Sequence, residues 1–483
     1  MRTFALVTFG CQMNEHDSAR MAEVLVEAGL RETESPEVAD VILVNTCSVR
    51  EKAEQKLRSE VGRLLQHKRA RPGVVLGVAG CVAQQEGEKL LRRVPELDLV
   101  FGPDNIPELP ALLAEIDAGG PPRVLTVHDL ERPQFLRARA ERGTTGATAQ
   151  VTVMKGCNER CSFCIVPHTR GPERYRPSDE IVDEIARLVA AGALEVMLLG
   201  QTVNSYRDPS RGLGPAPGAG EAPWTHTHPT TAREDESEFA SLLRRIAQEV
   251  PSLRRLRYAS PHPRHLTMSL IRAHQELPFM ARHVHMPVQS GSDRVLRRMI
   301  RRYSVAEYRE RVAALAAAVP GVTLTTDVIV GFPGETSQDF EDTLSIVREL
   351  SFVGLFGFKY SERPFTPAQQ LEDDVPEDEK SSRLAELFEL GDAIRCRHLE
   401  SLVGSTQQVI AVGRGRTGYT GRTEGSEIVH FGCQDDPTGE LVSLRIVRAF
   451  KNSLEGELFD PRRAKALSAE TSSPEKRLLP MVI

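Results

Sequence analysis

Three cysteines in one short stretch are the residues of this chain with the clearest chemistry. Residues 155–164 read KGCNERCSFC, which places Cys157, Cys161 and Cys164 at the spacing C-x3-C-x2-C. Thiolates bind zinc or iron, but a closed structural zinc site takes four ligands. An iron–sulfur cluster held by three cysteines keeps one iron open to another molecule. The stretch therefore predicts a metal site with a vacant coordination position.

Zinc is the competing interpretation of the same stretch. His168 follows Cys164 by four residues and would complete a Cys3His set, which is an established zinc arrangement. The spacing of these residues leaves both metals open.

A second set of three cysteines lies in the first hundred residues. Cys11, Cys47 and Cys81 are separated by 35 and 33 residues, and each follows an apolar run: FALVTF, VADVILVN or GVVLGVA. Helix-like stretches between the runs indicate a βαβαβ pattern and hence a parallel sheet, whose strand ends share one edge. We expect the three thiols to meet there; the alternative is three unrelated buried cysteines. Cys396 and Cys433 are interpreted as ordinary thiols.

Composition places few limits on function. The chain has 483 residues, 40% of them hydrophobic, and a net charge of −6, which predicts roughly two to four domains and gives no global sign of a nucleic-acid or membrane partner. No apolar run approaches the roughly 20 residues of a membrane span, and the start MRTFALVTFGC does not look like a signal peptide. We therefore expect a cytoplasmic protein whose cysteines bind metal rather than form disulfides.

The middle of the chain carries the closely spaced cysteines Cys157, Cys161 and Cys164 and must position them. Residues 119–146 form a predicted linker rich in Gly, Pro and Thr, after which six strand candidates begin: VTVMKG, EVMLLG, LRRLRYA, RHVHMPV, VTLTTDVIVGF and FVGLFGFKY. Helix-like segments between several of them predict an incomplete (β/α)6 barrel, an α/β fold whose functional residues follow the strands. The candidate cofactor-binding residues at these strand ends are Gly200, Gln201, Gln289, Ser290 and Gly331.

Several motifs together resemble the methylthiotransferases of the radical S-adenosylmethionine superfamily. TFGCQMNEHDS, NTCSVREKAEQK and AGCVAQQ match the N-terminal domain of that family, and GCNERCSFCIVPHTRG, SPHP, HMPVQSGSD and TDVIVGFPGE match its core. The resemblance covers nearly the whole chain. It implies an N-terminal cluster domain at residues 1–118, a radical S-adenosylmethionine core at 147–400 and a small antiparallel β-barrel, called TRAM, at 401–463.

The resemblance also implies the cofactors, which are S-adenosyl-L-methionine and two [4Fe-4S] clusters. In the family, the cluster that corresponds to Cys157, Cys161 and Cys164 generates a 5′-deoxyadenosyl radical. The cluster that corresponds to Cys11, Cys47 and Cys81 delivers the methylthio group. His168 is then expected to bind no metal.

Residues beside the cysteines resemble the MiaB type of the family, which acts on tRNA. These residues are Gln12, Met13, Asn14, Ser48, Val49 and Arg50. The implied reaction adds methylthio to C2 of N6-(dimethylallyl)adenosine, 3′-adjacent to the anticodon. Alternatives are threonylcarbamoyladenosine in tRNA, a ribosomal protein aspartate, or a non-catalytic zinc and RNA-binding protein. The expected partners are tRNA, a flavodoxin- or ferredoxin-type electron donor and iron–sulfur assembly proteins, and the chain is expected to be a monomer.

An RNA-binding surface is predicted from the segment DRVLRRMIRRY. Its arginines recur at the spacing of one helical face, which could contact phosphates; the alternative is a solvated outer face of a barrel helix. The arginines are Arg294, Arg297, Arg298, Arg301 and Arg302. Arg170, Arg174 and Arg176 form a second candidate patch.

Other segments are less informative or depart from the family pattern. Residues 401–460 carry six Arg or Lys and eight Asp or Glu, so RNA binding there rests on the resemblance to TRAM. Residues 207–237 form a Pro-, Gly- and Thr-rich insertion, and a disordered tail is predicted from residue 464. In SERPFTPA, Phe365 occupies a position where the family pattern predicts glycine.

Overall fold

The computed structural model describes residues 2–48, 51–131, 133–139, 146–211, 237–415 and 418–459. Val49, Arg50, most of the predicted insertion at 207–237 and the predicted tail lie outside these residues. The chain divides into two compact units, Met1–Gly391 and Asp392–Ile483. Among the described residues, no helix combines the length and apolarity that a membrane-spanning helix needs.

The N-terminal part of the first unit is built on a parallel sheet. Its strands are β1 (Thr3–Phe9), β2 (Arg31–Glu32), β3 (Val41–Thr46), β4 (Val75–Gly80), β5 (Leu99–Phe101) and β6 (Arg123–Leu125). Its helices are α1 (Gln12–Glu27), α2 (Glu51–Ala70), α3 (Cys81–Glu86), α4 (Glu88–Arg93) and α5 (Leu109–Asp117). The strand order is β2-β1-β3-β4-β5-β6, and every pair is parallel.

Both faces of this sheet are covered. Alternate residues of a strand point to opposite faces, and β3 divides accordingly. Ile42 and Val44 pack in one hydrophobic cluster with residues of α2, whereas Val41 and Leu43 pack in a second cluster with residues of α1 and α5. This two-sided burial explains the continuous apolar runs of the sequence and confirms the predicted parallel arrangement.

The core of the first unit contains eight strands, six of which are the predicted barrel strands. The strands are β7 (Thr148–Thr152), β8 (Met154–Lys155), β9 (Arg174–Tyr175), β10 (Glu195–Leu199), β11 (Arg255–Tyr258), β12 (His283–His285), β13 (Thr323–Val330) and β14 (Gly354–Lys359). The parallel sheets β7-β10-β11 and β12-β13-β14 follow chain order. A parallel bridge links Leu256 of β11 to Met280, which precedes β12 by three residues. The incomplete (β/α)6 fold is therefore confirmed, while β8 and β9 form a short added hairpin.

The helices of the core lie between these strands. They are α6 (Val166–Thr169), α7 (Ser178–Ala190), α8 (Glu238–Glu249), α9 (Met268–Glu276), α10 (Asp293–Arg298), α11 (Val305–Ala318), α12 (Ser337–Leu350) and α13 (Glu377–Ser401), the last of which runs into the second unit. Ser304 and Thr336 begin α11 and α12 with capping boxes, in which each hydroxyl accepts a backbone N–H that would otherwise lack a partner.

The predicted arginine stripe does not form one helical face. Helix α10 ends at Arg298, where the N–H of Arg301 bonds the carbonyl of Leu296 and the N–H of Ile300 bonds that of Arg297. Ile300 has a φ of 56°, so the end is a Schellman motif with isoleucine where glycine is usual. Arg301 then turns inward and is buried, while Arg294, Arg297 and Arg298 stay exposed and Arg302 is half-buried.

The prediction of a second exposed arginine patch is also wrong. Arg170, Arg174 and Arg176 are all buried. Each binds a buried carboxylate, which offsets the cost of removing its charge from water. The pairs are Arg170–Asp17, Arg174–Asp104 and Arg176–Glu184.

The second unit contains a closed five-stranded barrel. Its strands are β15 (Thr406–Gly415), β16 (Gly418–Arg422), β17 (Ile428–Phe431), β18 (Leu441–Ala449) and β19 (Leu454–Leu458), in the order β15-β16-β17-β19-β18. The barrel was predicted to be antiparallel, and four of its five pairs are. The exception is β17 with β19, which pair in parallel.

A buried carboxylate fastens the N-terminal sheet to the core. Asp104 follows β5, and its two oxygens bind Arg174 Nη1 at 2.5 Å and Lys155 Nζ at 3.2 Å. His128 lies 3.7 Å from the same carboxylate. Burial alone would raise the pKa of Asp104, but His128, Lys155 and Arg174 hold it well below its usual value.

The substitution Asp104→Asn is expected to lower the free energy of unfolding by about 3–5 kcal/mol, because it leaves the buried Arg174 and the half-buried Lys155 without their carboxylate. Glu96→Gln, which removes the exposed Arg69–Glu96 pair, should change the free energy of unfolding far less, because water screens an exposed ion pair. Because folding lowers the pKa of Asp104, its stabilisation is present above pH ~4 and declines below it. Urea denaturation at several pH values measures both effects, and equal losses in the two variants would contradict the assignment.

Candidate metal centres

Cys11, Cys47 and Cys81 meet at one edge of the N-terminal sheet. They follow β1, β3 and β4, which are neighbours, and the strand-end pairs Phe9–Thr46 and Thr46–Gly80 are in register. A hydrogen bond from Cys47 lowers the pKa of Cys11 to about 6, and the charge of Cys11 in turn acts on Cys81. The convergence expected from parallel strands is therefore present.

Two glycines allow this close approach. Gly10 has a φ of 142°, and a Cβ added there would lie 2.6 Å from the Cβ of Cys47. Gly80 has a φ of 88°, and an added Cβ would lie 2.2 Å from Asn45 Oδ1. Any side chain at either position would push the cysteine-bearing segments apart.

Asn14 helps to hold the segment that carries Cys11. Its side chain accepts from the Cys11 backbone N–H at 3.4 Å and donates to Asn45 Oδ1 at 3.3 Å. Asn14 is buried, whereas Gln12 is exposed and Met13 half-buried. Among the described members of the set that resembles the tRNA-modifying type, Gln12 and Met13 are accessible, whereas Asn14 and Ser48 are buried.

A guanidinium from the core contacts the N-terminal thiols. Arg170 donates from Nε to Cys81 Sγ at 3.3 Å and from Nη2 to Asp17 Oδ2 at 2.6 Å. Burial raises the pKa of Cys81, and the nearby Arg170 charge opposes that rise. Because Arg170 follows Cys164 by only six residues, one short segment ties the two cysteine sets together.

Cys157, Cys161 and Cys164 lie on the loop after β8. Cys157 Sγ is 3.0 Å from Thr202 Oγ1, and Arg301 Nη1 donates to Cys161 Sγ at 3.1 Å. Burial raises the pKa of Cys157, and burial together with the charge of Cys161 raises that of Cys164 to about 12. Burial and mutual repulsion keep these thiols protonated in the absence of metal. A bound metal cation would stabilise their thiolate forms.

Among the described residues, neither cysteine set forms a compact group of ligand atoms around a single-ion site. Tetrahedral zinc with bonds of about 2.3 Å holds its sulfurs about 3.8 Å apart. Throughout the described ranges, one group of three ligand atoms lies within 4.8 Å of one another, and it is Glu159, His262 and His265. Neither cysteine set is drawn together that tightly, and His168 belongs to no such group. The alternative closed Cys3His zinc set is therefore not assembled among the described residues.

Gly200 and Gln201 follow β10 beside the cysteine loop. An added Cβ at Gly200 would lie 2.6 Å from Met154 Cγ. Gln201 Oε1 accepts the N–H of Gly156, next to Cys157. Its Nε2 is buried and has no partner in the described part of the chain, so this amide can donate to a bound ligand.

The other candidate cofactor residues lie at the ends of β12 and β13. Gln289 has a φ of 69° and pairs through its backbone with Asp327 and Ile329. Ser290 Oγ accepts from the Ser292 N–H at 3.2 Å and is fully buried. Gly331, with a φ of 67°, packs against Lys380. These residues follow strands of the core, as the cysteine loop does, and their role in binding a cofactor stays a prediction.

A polar group that the sequence did not single out lies beside Cys161. His265 Nε2 is 2.9 Å from Glu159 Oε1, and the His262 ring contacts Tyr303, whose hydroxyl accepts from Arg301. Glu159 stands between two of the cysteines, and the histidines belong to SPHPRH. Their H-x-x-H spacing was the available signal, but only the fold brings Glu159 to them.

Two family models match the chain. The model described as Uncharacterized protein family UPF0004 matches residues 3–102, and that of the Radical SAM superfamily matches residues 151–347. The first match contains Cys11, Cys47 and Cys81, and the second contains the C-x3-C-x2-C loop.

Solved structures of low sequence identity share the fold. Two structures of the radical S-adenosylmethionine methyltransferase TsrM from Kitasatospora setae align with TM-scores of 0.53 and 0.54 at 14% and 15% identity. They cover 84% and 86% of this chain, and 77% and 79% of their own chains are aligned.

Curated relatives resemble the chain over its whole length. The tRNA-2-methylthio-N(6)-dimethylallyladenosine synthase of Sorangium cellulosum is 59% identical, with 100% of this chain and 99% of the relative aligned. The enzyme of the same name from Bordetella petrii is 42% identical over 95% of this chain and 92% of the relative. With identity of this extent, and with both cysteine sets inside matched domains, the chain belongs to the tRNA-2-methylthio-N(6)-dimethylallyladenosine synthase family of radical SAM enzymes.

Proposed function

We propose that this enzyme adds a methylthio group to C2 of N6-(dimethylallyl)adenosine in tRNA, at the base 3′-adjacent to the anticodon. The observation that carries the proposal is the presence of two three-cysteine sites in one compact unit, connected by the Arg170–Cys81 contact. Its relatives carry the name of this activity over the full length of the chain.

The six cysteines are proposed as ligands of two [4Fe-4S] clusters: Cys11, Cys47 and Cys81 at one, Cys157, Cys161 and Cys164 at the other. When bound, the clusters supply electron transfer to S-adenosyl-L-methionine at the core site and methylthio donation at the N-terminal site. Each set offers three thiolates, so a ligand position stays open in both.

Two buried arginines prepare the sites electrostatically. Arg170 donates to Cys81, and Arg301 donates to Cys161. Such charge-assisted bonds stabilise thiolates inside the protein and orient them before a metal binds. Arg301 is therefore proposed as a positioning residue of the core site and no longer as a phosphate contact.

The carboxyl ends of the core strands are proposed to hold S-adenosyl-L-methionine. We call this edge the rim; Gly200, Gln201, Gln289, Ser290 and Gly331 are its candidate binding residues. Gln201 Nε2 provides a buried donor, and Gly200 and Gly331 keep side chains away from the rim. Gln289 and Ser290, which follow β12, are proposed to contribute to the same binding site.

Partners follow from the proposed reaction. Arg294, Arg297 and Arg298 stay exposed and are proposed to contact tRNA phosphates, together with the C-terminal barrel, which we assign as a TRAM domain. Reductive cleavage requires an electron donor of flavodoxin or ferredoxin type, and loading requires iron–sulfur assembly proteins. We place the reaction in the cytoplasm, where tRNA is modified.

Separate loss of the two sites tests the proposal. The reconstituted protein should bind about eight irons per chain, and Cys157→Ala and Cys81→Ala about four each. Cys157→Ala should abolish formation of 5′-deoxyadenosine. Cys81→Ala should retain that step and make no methylthio product, as measured by mass spectrometry of tRNA nucleosides. Zinc in place of iron, or normal product from Cys81→Ala, would overturn the assignment.

The substitution Arg170→Met should lower methylthiolation or cluster retention about 10- to 100-fold, because it removes the donor to Cys81. It should also make the reduction potential of the N-terminal cluster more negative while leaving that of the core cluster unchanged. Arg187→Met, at an exposed arginine of α7, is the matched control. Identical potentials in Arg170→Met and the wild type would show that the Arg170–Cys81 bond has no role in the loaded protein.

A further inference from the structure

Phe365 has an unfavourable backbone conformation and an exposed ring. Its φ is 66°, in the left-handed region that favours glycine, and 53% of its surface is exposed. Among the described residues, the other exposed phenylalanines, Phe356, Phe388 and Phe450, expose a smaller fraction of their surface. A bulky residue at positive φ persists where the surroundings hold it and often serves a function.

The loop that carries Phe365 lies between the two cysteine sites. On one side, the Ala368 N–H donates to the carbonyl of Ser162, between Cys161 and Cys164. On the other side, Arg363 Nη1 binds Glu54 Oε1 at 3.1 Å, on the helix that follows Cys47. The loop therefore contacts the segments that carry both cysteine sets.

The neighbours of the ring suit a nucleic acid. Lys89 Nζ lies 5.9 Å from the centre of the Phe365 ring, and the His168 ring lies 5.6 Å away at an angle of 36°. Lys89 belongs to α4, which comes soon after Cys81. An exposed aromatic ring beside a lysine is the combination that binds single-stranded RNA, since the ring stacks on a base and the cation attracts the phosphates.

We propose that Phe365 stacks on an unpaired nucleobase of the tRNA, next to the base that reacts. The proposal rests on the proposed function, because it takes the substrate to be RNA. It also gives a role to the departure from glycine: the backbone keeps the glycine-like turn, and the added ring supplies a stacking surface. His168 supports the ring from the side and is not needed as a metal ligand.

Three matched variants test the ring. Phe365→Gly fits the backbone conformation and removes the ring, and Phe365→Leu keeps an apolar side chain without a π face. Phe365→Trp keeps an aromatic ring that can stack. Phe388→Leu, at an exposed position of α13, controls for loss of a surface phenylalanine elsewhere. All are prepared as full-length, reconstituted protein with iron content checked against the wild type.

Binding of an anticodon stem-loop RNA is measured by fluorescence anisotropy, with 2-aminopurine in the loop reporting stacking. Phe365→Gly and Phe365→Leu should weaken binding about 5- to 150-fold, the range expected for one stacked base. Phe365→Trp and Phe388→Leu should bind like the wild type. The 2-aminopurine signal at saturation should be less quenched with Phe365→Gly than with the wild type.

The failures are distinguishable. A wild-type protein that makes no methylthio product in tRNA overturns the proposed function. A wild-type protein that makes the product, while Phe365→Gly and Phe365→Leu bind RNA as tightly as it does, overturns the stacking role alone. Equal weakening in Phe388→Leu would likewise overturn it.

Discussion

The contact of Arg170 with Cys81 and Asp17 is the interaction on which the arrangement of the two sites depends. It joins the loop after Cys164 to the strand edge that carries the N-terminal thiols. A buried guanidinium needs nearby negative charge to offset its desolvation. Asp17 supplies that charge, and Cys81 accepts a hydrogen bond from the same guanidinium, only when the N-terminal sheet and the core are docked. The pairing at the N-terminal site therefore also helps to set the position of the core loop.

Further buried charge pairs stabilise the core and its interface with the N-terminal sheet. Asp104 binds Lys155 and Arg174, and Arg176 binds Glu184. The two Asp104 contacts connect residues 51 and 70 positions apart in the sequence, whereas Arg176 and Glu184 are 8 positions apart within the core. Each contact would be costly to break one partner at a time. The docking of the N-terminal sheet on the core is therefore specified by polar pairs as well as by buried apolar area. Such docking suits two sites that must keep a fixed separation.

Much of the fold was predictable because it depends on local pattern. Apolar runs followed by Cys11, Cys47 and Cys81 predicted parallel strands, and the carboxyl ends of such strands share an edge whatever the rest of the chain does. The arginine stripe was wrong for an equally local reason. Its periodicity continued through Arg301, but a Schellman end with Ile300 at the left-handed position stopped the helix, and isoleucine carries no such signal.

By itself, the sequence determined the cysteine sets, the order of strands and helices and the position at Phe365 that departs from glycine. Only the tertiary structure decided which charges are buried. Arg170, Arg174 and Arg301 look like surface residues in sequence, yet their partners Asp17, Asp104 and Cys161 lie up to 153 residues away. Electrostatic pairing across such distances depends on how the elements pack, because no periodicity along the chain records which strand end faces which loop.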